Sequence, residues 1–235
     1  MSKVALITGA GRRFGYELAN DLLDQGYTVY AHYNSSKQGV EQLEQRGAIG
    51  LQADFSDIAA IDDMIATVKE QAQYIDLLVN NASCFFNNSD VDDDADKLQA
   101  VYAVHAIAPY KLITGLQDLL STANDGLVIN ITDIYSERPS TDYIAYCGAK
   151  AALANMTLAF AKSLAPNIRV NAIQPGPILF LPEHDSDHRK QVLAETPLTV
   201  EGGLQPMIDT VKFFRDNPFL TGESIKVDGG RALKI

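Results

Sequence analysis

Positive charge is scarce in this sequence: 19 lysines and arginines stand against 30 aspartates and glutamates, giving a formal charge of -11 and an isoelectric point near 4.7. Such a surface repels phosphate backbones and anionic bilayers on average, which argues against a nucleic-acid or membrane partner. Cysteine is nearly absent as well. Cys84 and Cys147 could close only one bridge and neither stands in a CxxC spacing, so both read as buried or half-buried thiols rather than metal ligands. No stretch approaches the roughly 18 apolar residues of a membrane span. The chain enters MSKVALITG without a charged region, an apolar region and a cleavage site, and the expectation is a cytoplasmic protein.

What is present is an alternation. Short β-branched runs at 4–8, 28–33, 48–54, 76–81, 126–132, 168–174 and 224–228 are separated by amphipathic patterns near 14–25, 37–46, 57–73, 95–121, 144–165 and 203–216. Strands and helices in turn predict βαβ units, hence a parallel sheet covered on both faces. With neither repeat nor linker, and 46% hydrophobic residues to fill one core, residues 1–235 read as one domain. The acidic stretch SDVDDDAD (89–96) lacks the glycine and distal glutamate of a calcium loop, and reads as a solvated loop leading into a helix N-terminus.

The first strand runs into TGAGRRFG, where Gly9, Gly11 and Gly15 permit a tight turn and close approach of backbone amides to a pyrophosphate. The spacing is GxGxxxG rather than GxGxxG, so alone it also fits an ordinary strand-to-helix turn. Arg12, Arg13 and Phe14 stand inside it. After the second strand a reader of a free ribose 2′-hydroxyl would carry Asp or Glu. Here HYNSSK offers His32, Asn34, Ser35, Ser36 and Lys37 and no carboxylate, and Arg12 can swing in from the loop, which favours NADPH over NADH. Asp54 and Phe55 in ADFSD, and Asn81, Ala82 and Ser83 in NNASCFF, fall at the carboxyl ends of the third and fourth strands, where a doubly wound sheet places its cofactor. Asp54 or Ser56 also suits a helix cap. Spacing alone puts Phe85 and Phe86 in the core, although either could offer a flat face to a planar ring.

Tyr146 and Lys150 share a helix face at i and i+4. An ammonium beside a phenol lowers its pKa, so the pair suits proton donation at neutral pH. Taken together in order and spacing, TGAGRRFG, NNAS, YCGAK and QPG resemble the short-chain dehydrogenase/reductase family over essentially the whole chain. That resemblance implies an α/β fold, a single Rossmann-type doubly wound domain with a seven-stranded, mainly parallel sheet and helices on both faces. It implies that Tyr146 donates the proton and that Lys150 holds the nicotinamide ribose. Thr132, Pro175, Gly176 and Ile178 join Asn81 as cofactor contacts, and the closing VDGGRALKI resembles a family end that supports tetramers.

Two departures narrow the resemblance. Arg13 replaces the middle glycine of the family loop, and Asp133 stands where the family has a catalytic serine. With NNASCF this pair is similar to pteridine reductases. By that likeness Arg13 touches pyrophosphate and substrate, Asp133 works with Tyr146, Phe85 stacks a pterin over the nicotinamide, and Ser83 lines the substrate. His105, where most relatives have asparagine, and ILFLPEHDSDHRKQ resemble the bacterial dihydromonapterin-reducing branch. Chemistry agrees: serine can donate to a ketone oxygen, whereas an ionised carboxylate only accepts and repels a developing alkoxide. A dihydropterin C=N bond needs a proton on nitrogen, which aspartate and tyrosine can relay. A ketone reductase and a non-catalytic NADPH-binding regulator are the alternatives, and Asp133 also suits a turn cap. Pro177 to Pro197 reads as a mobile lid of about residues 177–197; its Glu183, His184, Asp185 and His188 are not arranged as HExxH, so no metal is expected.

Overall fold

In the computed structural model, residues 2–181 and 184–235 are described. The chain begins in the middle of its own sheet. Strand β1 (Val4–Ile7) is followed by α1 (Arg13–Asp24), β2 (Thr28–Tyr33), α2 (Lys37–Gln45), β3 (Ile49–Gln52) and α3 (Ile58–Gln71), which build outward to one edge. It then returns to the other side of β1 with β4 (Leu77–Asn80), α4 (Asn88–Asp92), α5 (Ala95–Tyr102), a π turn (Ala103–Ile107), α6 (Ala108–Gly115), α7 (Gln117–Thr122) and β5 (Gly126–Ile131). A 3-10 turn (Ile134–Ser136), α8 (Ile144–Leu164), β6 (Ile168–Pro175), α9 (Ser186–Ala194), α10 (Gln205–Asp216) and β7 (Ser224–Val227) complete it, with a last 3-10 turn at Arg231–Leu233. The seven strands lie in the order β3-β2-β1-β4-β5-β6-β7 and every neighbouring pair is parallel. The order reverses between β1 and β4, so the loops at their carboxyl ends diverge and leave a crevice.

The central strands are buried along their length, as the unbroken VALI and LLVN runs require. Ile7, Val29, Val79 and Ile129 face the cluster under α1, α2 and α10, while Leu6, Leu78 and Val128 face the one under α3, α6 and α8. Each fully buried aliphatic side chain contributes about 1.5–3 kcal/mol of transfer free energy, so the sheet is a rigid base for loops at its rim.

The structure corrects four expectations. The helix expected over 95–121 is divided into α5, the π turn, α6 and α7. The acidic stretch is largely ordered: Asn87 and Asp90 form a reciprocal capping box for α4, and Asp94 caps α5 by accepting from the Asp96 and Lys97 N–H groups. The segment expected to be a mobile lid carries a helix, α9, whose N-terminus Asp185 caps. Finally α8, over a window of mean hydropathy 1.2, is long and apolar enough to cross a membrane by length and composition. Its apolar character has another source, since Leu153, Thr157 and Ala161 are buried in the fold.

Candidate active site

The crevice is built around the turn that leaves β1. Gly9 adopts φ +67, and a Cβ there would lie 2.9 Å from the Cα of Ala82; a Cβ on Gly15 would lie 2.3 Å from the Gly9 carbonyl oxygen. Only glycine lets α1 start this close to β1 and β4. Asn81 closes the turn, its Nδ2 donating to the carbonyls of Thr8 (2.9 Å) and Gly9 (3.2 Å). Thr8 Oγ1 accepts from the N–H groups of Asn81 (2.8 Å) and Ala82 (2.9 Å). At the start of α1 the N-cap Arg12 makes no capping bond through its side chain and the first turn holds no acid, so the helix end keeps its positive character. Arg13 enters the helix at φ 51, in the left-handed region where a glycine would be unstrained. Arg12, Asn34 and Ser35 are exposed around this turn and Ser36 is half-buried; Lys37 pairs with Glu41 at 3.1 Å.

Four residues expected at the cofactor have other occupations. His32 is buried, its ring stacked 4.0 Å from that of Phe55 at an interplanar angle of 3°. Its Nδ1 accepts from the Gly9 N–H at 3.1 Å, so Nε2 carries the proton and donates to the Ala53 carbonyl at 3.0 Å. Burial pushes the imidazole down to about 4, which leaves it neutral. With both nitrogens engaged, His32 is a strut between the glycine turn and the end of β3 rather than a donor to a phosphate. Phe55 is its stacking partner, and Phe14 is buried in the core under α1. Asp54 spends Oδ1 on the Ser56 N–H (2.9 Å) and hydroxyl (2.8 Å), the capping alternative, and these bonds hold its carboxyl below the ordinary range.

Asp133 and Tyr146 meet. Asp133 leaves β5 and its two oxygens divide the work: Oδ1 accepts from the Tyr135 N–H at 2.9 Å, capping the 3-10 turn, and Oδ2 accepts from the Tyr146 hydroxyl at 2.8 Å. Both sequence readings of Asp133, cap and partner of the phenol, therefore hold in one side chain. Lys150 is buried one turn along α8 and donates to the Ile131 carbonyl at 2.7 Å; its Nζ lies 5.7 Å from the centre of the Tyr146 ring. The expected depression of the phenol is absent. Burial first, then the charge and hydrogen bond of Asp133, push Tyr146 well above the ordinary tyrosine value. Burial also raises Asp133 and pushes Lys150 down to about 8, partly opposed by Asp133. The phenol is thus a firmly protonated acid whose hydrogen already points along a polar path.

Phe85 is not core. It is 51% exposed, tilted against Tyr143 (centroids 4.4 Å apart) and edge-on to Tyr146 (4.7 Å). Ser83 is exposed two residues before it, and Ala82 is half-buried. Tyr143 went unnoticed in the sequence although it lies three residues before Tyr146, close to the same helix face. On the far side Thr132 is buried with its hydroxyl donating to the Ile173 carbonyl at 3.1 Å, while Pro175, Gly176 and Ile178 are half-buried as the chain leaves β6. The Gly176 N–H is tied to the Val227 carbonyl at 3.0 Å.

Arg231 also escaped the sequence reading. Its positive charge acts on Asp133, and it anchors α9 by donating to the Val192 carbonyl (2.8 Å) and Glu195 (2.6 Å). The His184 and His188 rings lie 4.6 Å apart. Glu183, the remaining acid of that cluster, lies outside the described residues, and among the described residues no group of three or more His, Cys, Asp and Glu side chains is arranged to hold a metal. A cleft of about 580 Å³ opens elsewhere, at the amino ends of the strands, lined by Lys3, Asp76, Asp125 and Arg169. Its charges serve the fold: Arg169 pairs with Asp125 at 2.8 Å and donates to the Phe214 carbonyl at 2.9 Å.

Comparison with known proteins bears on the family and the fold. The sequence pattern of the short chain dehydrogenase family matches residues 3–191. The dihydromonapterin reductase of Enterobacter sp. is 37% identical over 230 residues, covering 97% of this chain and 96% of that protein. Its counterpart from Klebsiella pneumoniae is 36% identical over 233 residues with the same coverage, 97% and 96%. The crystal structure of alternative dihydrofolate reductase 1 from Brucella suis in complex with NADP superimposes with a TM-score of 0.89 at 32% identity, covering 98% of this chain and 95% of that one.

Proposed function

We propose that this chain, which belongs to the short-chain dehydrogenase family, is an NADPH-dependent reductase that converts dihydropteridines of the dihydromonapterin type to tetrahydropteridines. The observation that carries the reading is the 2.8 Å bond from the Tyr146 hydroxyl to Asp133, beside the exposed ring of Phe85. The donor set fits the cofactor. The uncapped start of α1 suits a pyrophosphate, and exposed Arg12, Asn34 and Ser35, with no acid among them, suit a 2′-phosphate. Arg13 belongs at the boundary between pyrophosphate and substrate. Asn81, Ala82, Thr132, Pro175, Gly176 and Ile178 border the remainder.

NADPH supplies the hydride that reduces the carbon of the C=N bond. The protein's part is the proton. Tyr146 delivers its hydroxyl hydrogen to the imine nitrogen while Asp133 orients that hydroxyl; the phenolate left behind regains a proton from solvent, with Asp133 the nearest group to carry it. Burial weakens the acidity of Asp133, which suits it to carry a proton. Lys150 uses one donor on the Ile131 carbonyl and keeps the others for a ribose hydroxyl. Phe85, backed by Tyr143 and Tyr146, offers a flat apolar face to the pterin ring, and Ser83 a hydroxyl at its edge.

Exposed Tyr110, Ile144, Leu158, Phe213, Phe219 and Leu233 offer apolar surface that supports a homotetramer. Two unpaired thiols suit a reducing cytoplasm. Residues 1–235 act as one domain, with 177–197 as its lid. The test is NADPH oxidation with dihydromonapterin, dihydrobiopterin, dihydrofolate and a ketoester side by side. Reduction of dihydropterins with the ketoester untouched is expected; turnover of the ketoester alone refutes the reading in favour of a ketone reductase.

A further inference from the structure

The π turn at Ala103–Ile107 interrupts what would otherwise be a continuous helix, and His105 lies at its centre. A π turn is a rare element, frequently found at functional sites. His105 is aimed inward. It is 1% exposed, its ring stands edge-on to that of Tyr146 with centroids 5.2 Å apart at 88°, and its Nε2 lies 2.8 Å from the Cys84 carbonyl oxygen. A carbonyl only accepts, so Nε2 bears the proton and Nδ1 is bare; among the described residues Nδ1 has no partner.

Cys84 immediately precedes Phe85. Among the described residues the backbone from Ser83 to Phe86 makes one hydrogen bond to the rest of the fold, the one the Cys84 carbonyl accepts from His105. On either side the chain is well tied, by the Ala82 N–H to Thr8 Oγ1 at 2.9 Å and by the Asn88 N–H to the Asp142 carbonyl at 2.9 Å. The segment that carries the exposed aromatic ring is therefore held in its middle by one histidine, and the same imidazole forms a wall of the proton donor.

We propose that His105 is a positioning residue for substrate: through the Cys84 carbonyl it latches the Phe85 ring at a fixed distance from the Tyr146 hydroxyl, so that a stacked heterocycle presents its imine nitrogen to the acid. This rests on the function proposed above. An apolar side chain of similar size would fill the same space without leaving a bare buried nitrogen, so packing alone does not account for histidine here. The Nε2–H donor does.

Amide substitutions separate the two nitrogens, because the glutamine amide nitrogen reaches the place of Nε2 whereas the asparagine amide reaches only that of Nδ1. In His105→Gln the KM for the dihydropterin should stay within about threefold of the native value, whereas His105→Asn and His105→Ala should raise it roughly five- to tenfold, the loss of one hydrogen bond. The NADPH dissociation constant, read by nucleotide fluorescence, should be unchanged in all three. Asparagine as good as histidine, or glutamine as poor as alanine, overturns the latch. A second measurement does not depend on the substrate: long-range ¹H–¹⁵N correlation of the four histidines should show His105 as the Nε2–H tautomer, assigned by its loss in His105→Gln. An Nδ1–H tautomer overturns the proposal. If the native enzyme reduces no pterin, the functional reading fails while the tautomer still decides the latch.

Discussion

Replacing Asp133 by asparagine changes charge without changing shape, and the structure says which of its two duties should survive. The oxygen that accepts from the Tyr135 N–H at 2.9 Å has an equivalent in the amide, so the 3-10 turn keeps its cap. The bond from the Tyr146 hydroxyl at 2.8 Å is lost, because the amide nitrogen then takes the place of Oδ2 and can only donate a neutral bond to the phenol oxygen. Hydrogen bonds to charged groups are worth about 1.5–3 kcal/mol and neutral ones about 1. The change removes roughly 1–2 kcal/mol of orientation and takes away the group that carries the returning proton. At about 1.4 kcal/mol per decade, kcat for a dihydropterin should fall roughly 10- to 100-fold. Thermal unfolding should not suffer, because the variant also relieves a carboxylate whose acidity burial has weakened. Asp133→Ala, which loses the cap as well, should cost an additional 0.5–2 kcal/mol or so of stability. The assay is stopped-flow NADPH oxidation beside a melting curve. A kcat within about twofold of native for Asp133→Asn, with an unchanged melting curve, would refute the assignment of Asp133 to the proton path.

Tyr146→Phe removes the acid itself and should lower kcat by about 10²–10⁴-fold while NADPH still binds, as equilibrium fluorescence can check; an active variant would assign the proton to another group. Phe85→Ala should raise the pterin KM by roughly three- to tenfold, the worth of an aromatic contact of about 0.5–1.5 kcal/mol, with little change in NADPH affinity. Lys150, pushed down to about 8 by burial, should give a basic limb: NADPH affinity should weaken as pH rises through about 8, where the folded protein loses the ammonium. Between about 8 and 10.5 the unfolded chain binds the proton that the folded one has shed, so the contribution of Lys150 to stability rises with pH while affinity falls. A titration of the dissociation constant that is flat across that window would show that the charge is not used.

The succession of strands and helices and the crevice were legible because period and spacing carry them. Unbroken apolar runs such as LLVN mark doubly covered strands, and the glycines at and just before the start of α1 mark the place where backbone must approach backbone. Breaks within α-helical stretches were not legible. Residues 95–121 keep a continuous helical period, and nothing local announces that one turn widens at Ala103–Ile107, because the reason lies across the fold in Tyr146 and the Cys84 carbonyl. The helix α9 was hidden for a similar reason: a short polar segment gains its anchors from Arg231, thirty-six residues beyond Glu195.

The same division runs through the site. A residue type at a motif position was readable, but the partner that spends its hydrogen bonds was not. His32 in HYNSSK offers two nitrogens on paper, and the fold consumes both, at Gly9 and Ala53. Phe85 erred the other way, for an aromatic after a strand is more often core, whereas here the Tyr143 and Tyr146 rings lie behind it and its own ring stays at the surface. Lys150 illustrates the consequence for mechanism. Spacing i to i+4 says that ammonium and phenol share a face, yet the ammonium is directed to the Ile131 carbonyl, and the nearer charge, Asp133, acts on the phenol with the opposite sign. A site that held the phenol as phenolate would suit removal of a proton from an alcohol. One that holds it protonated against a buried carboxylate is set to give a proton away, which is the direction that reduction of an imine requires.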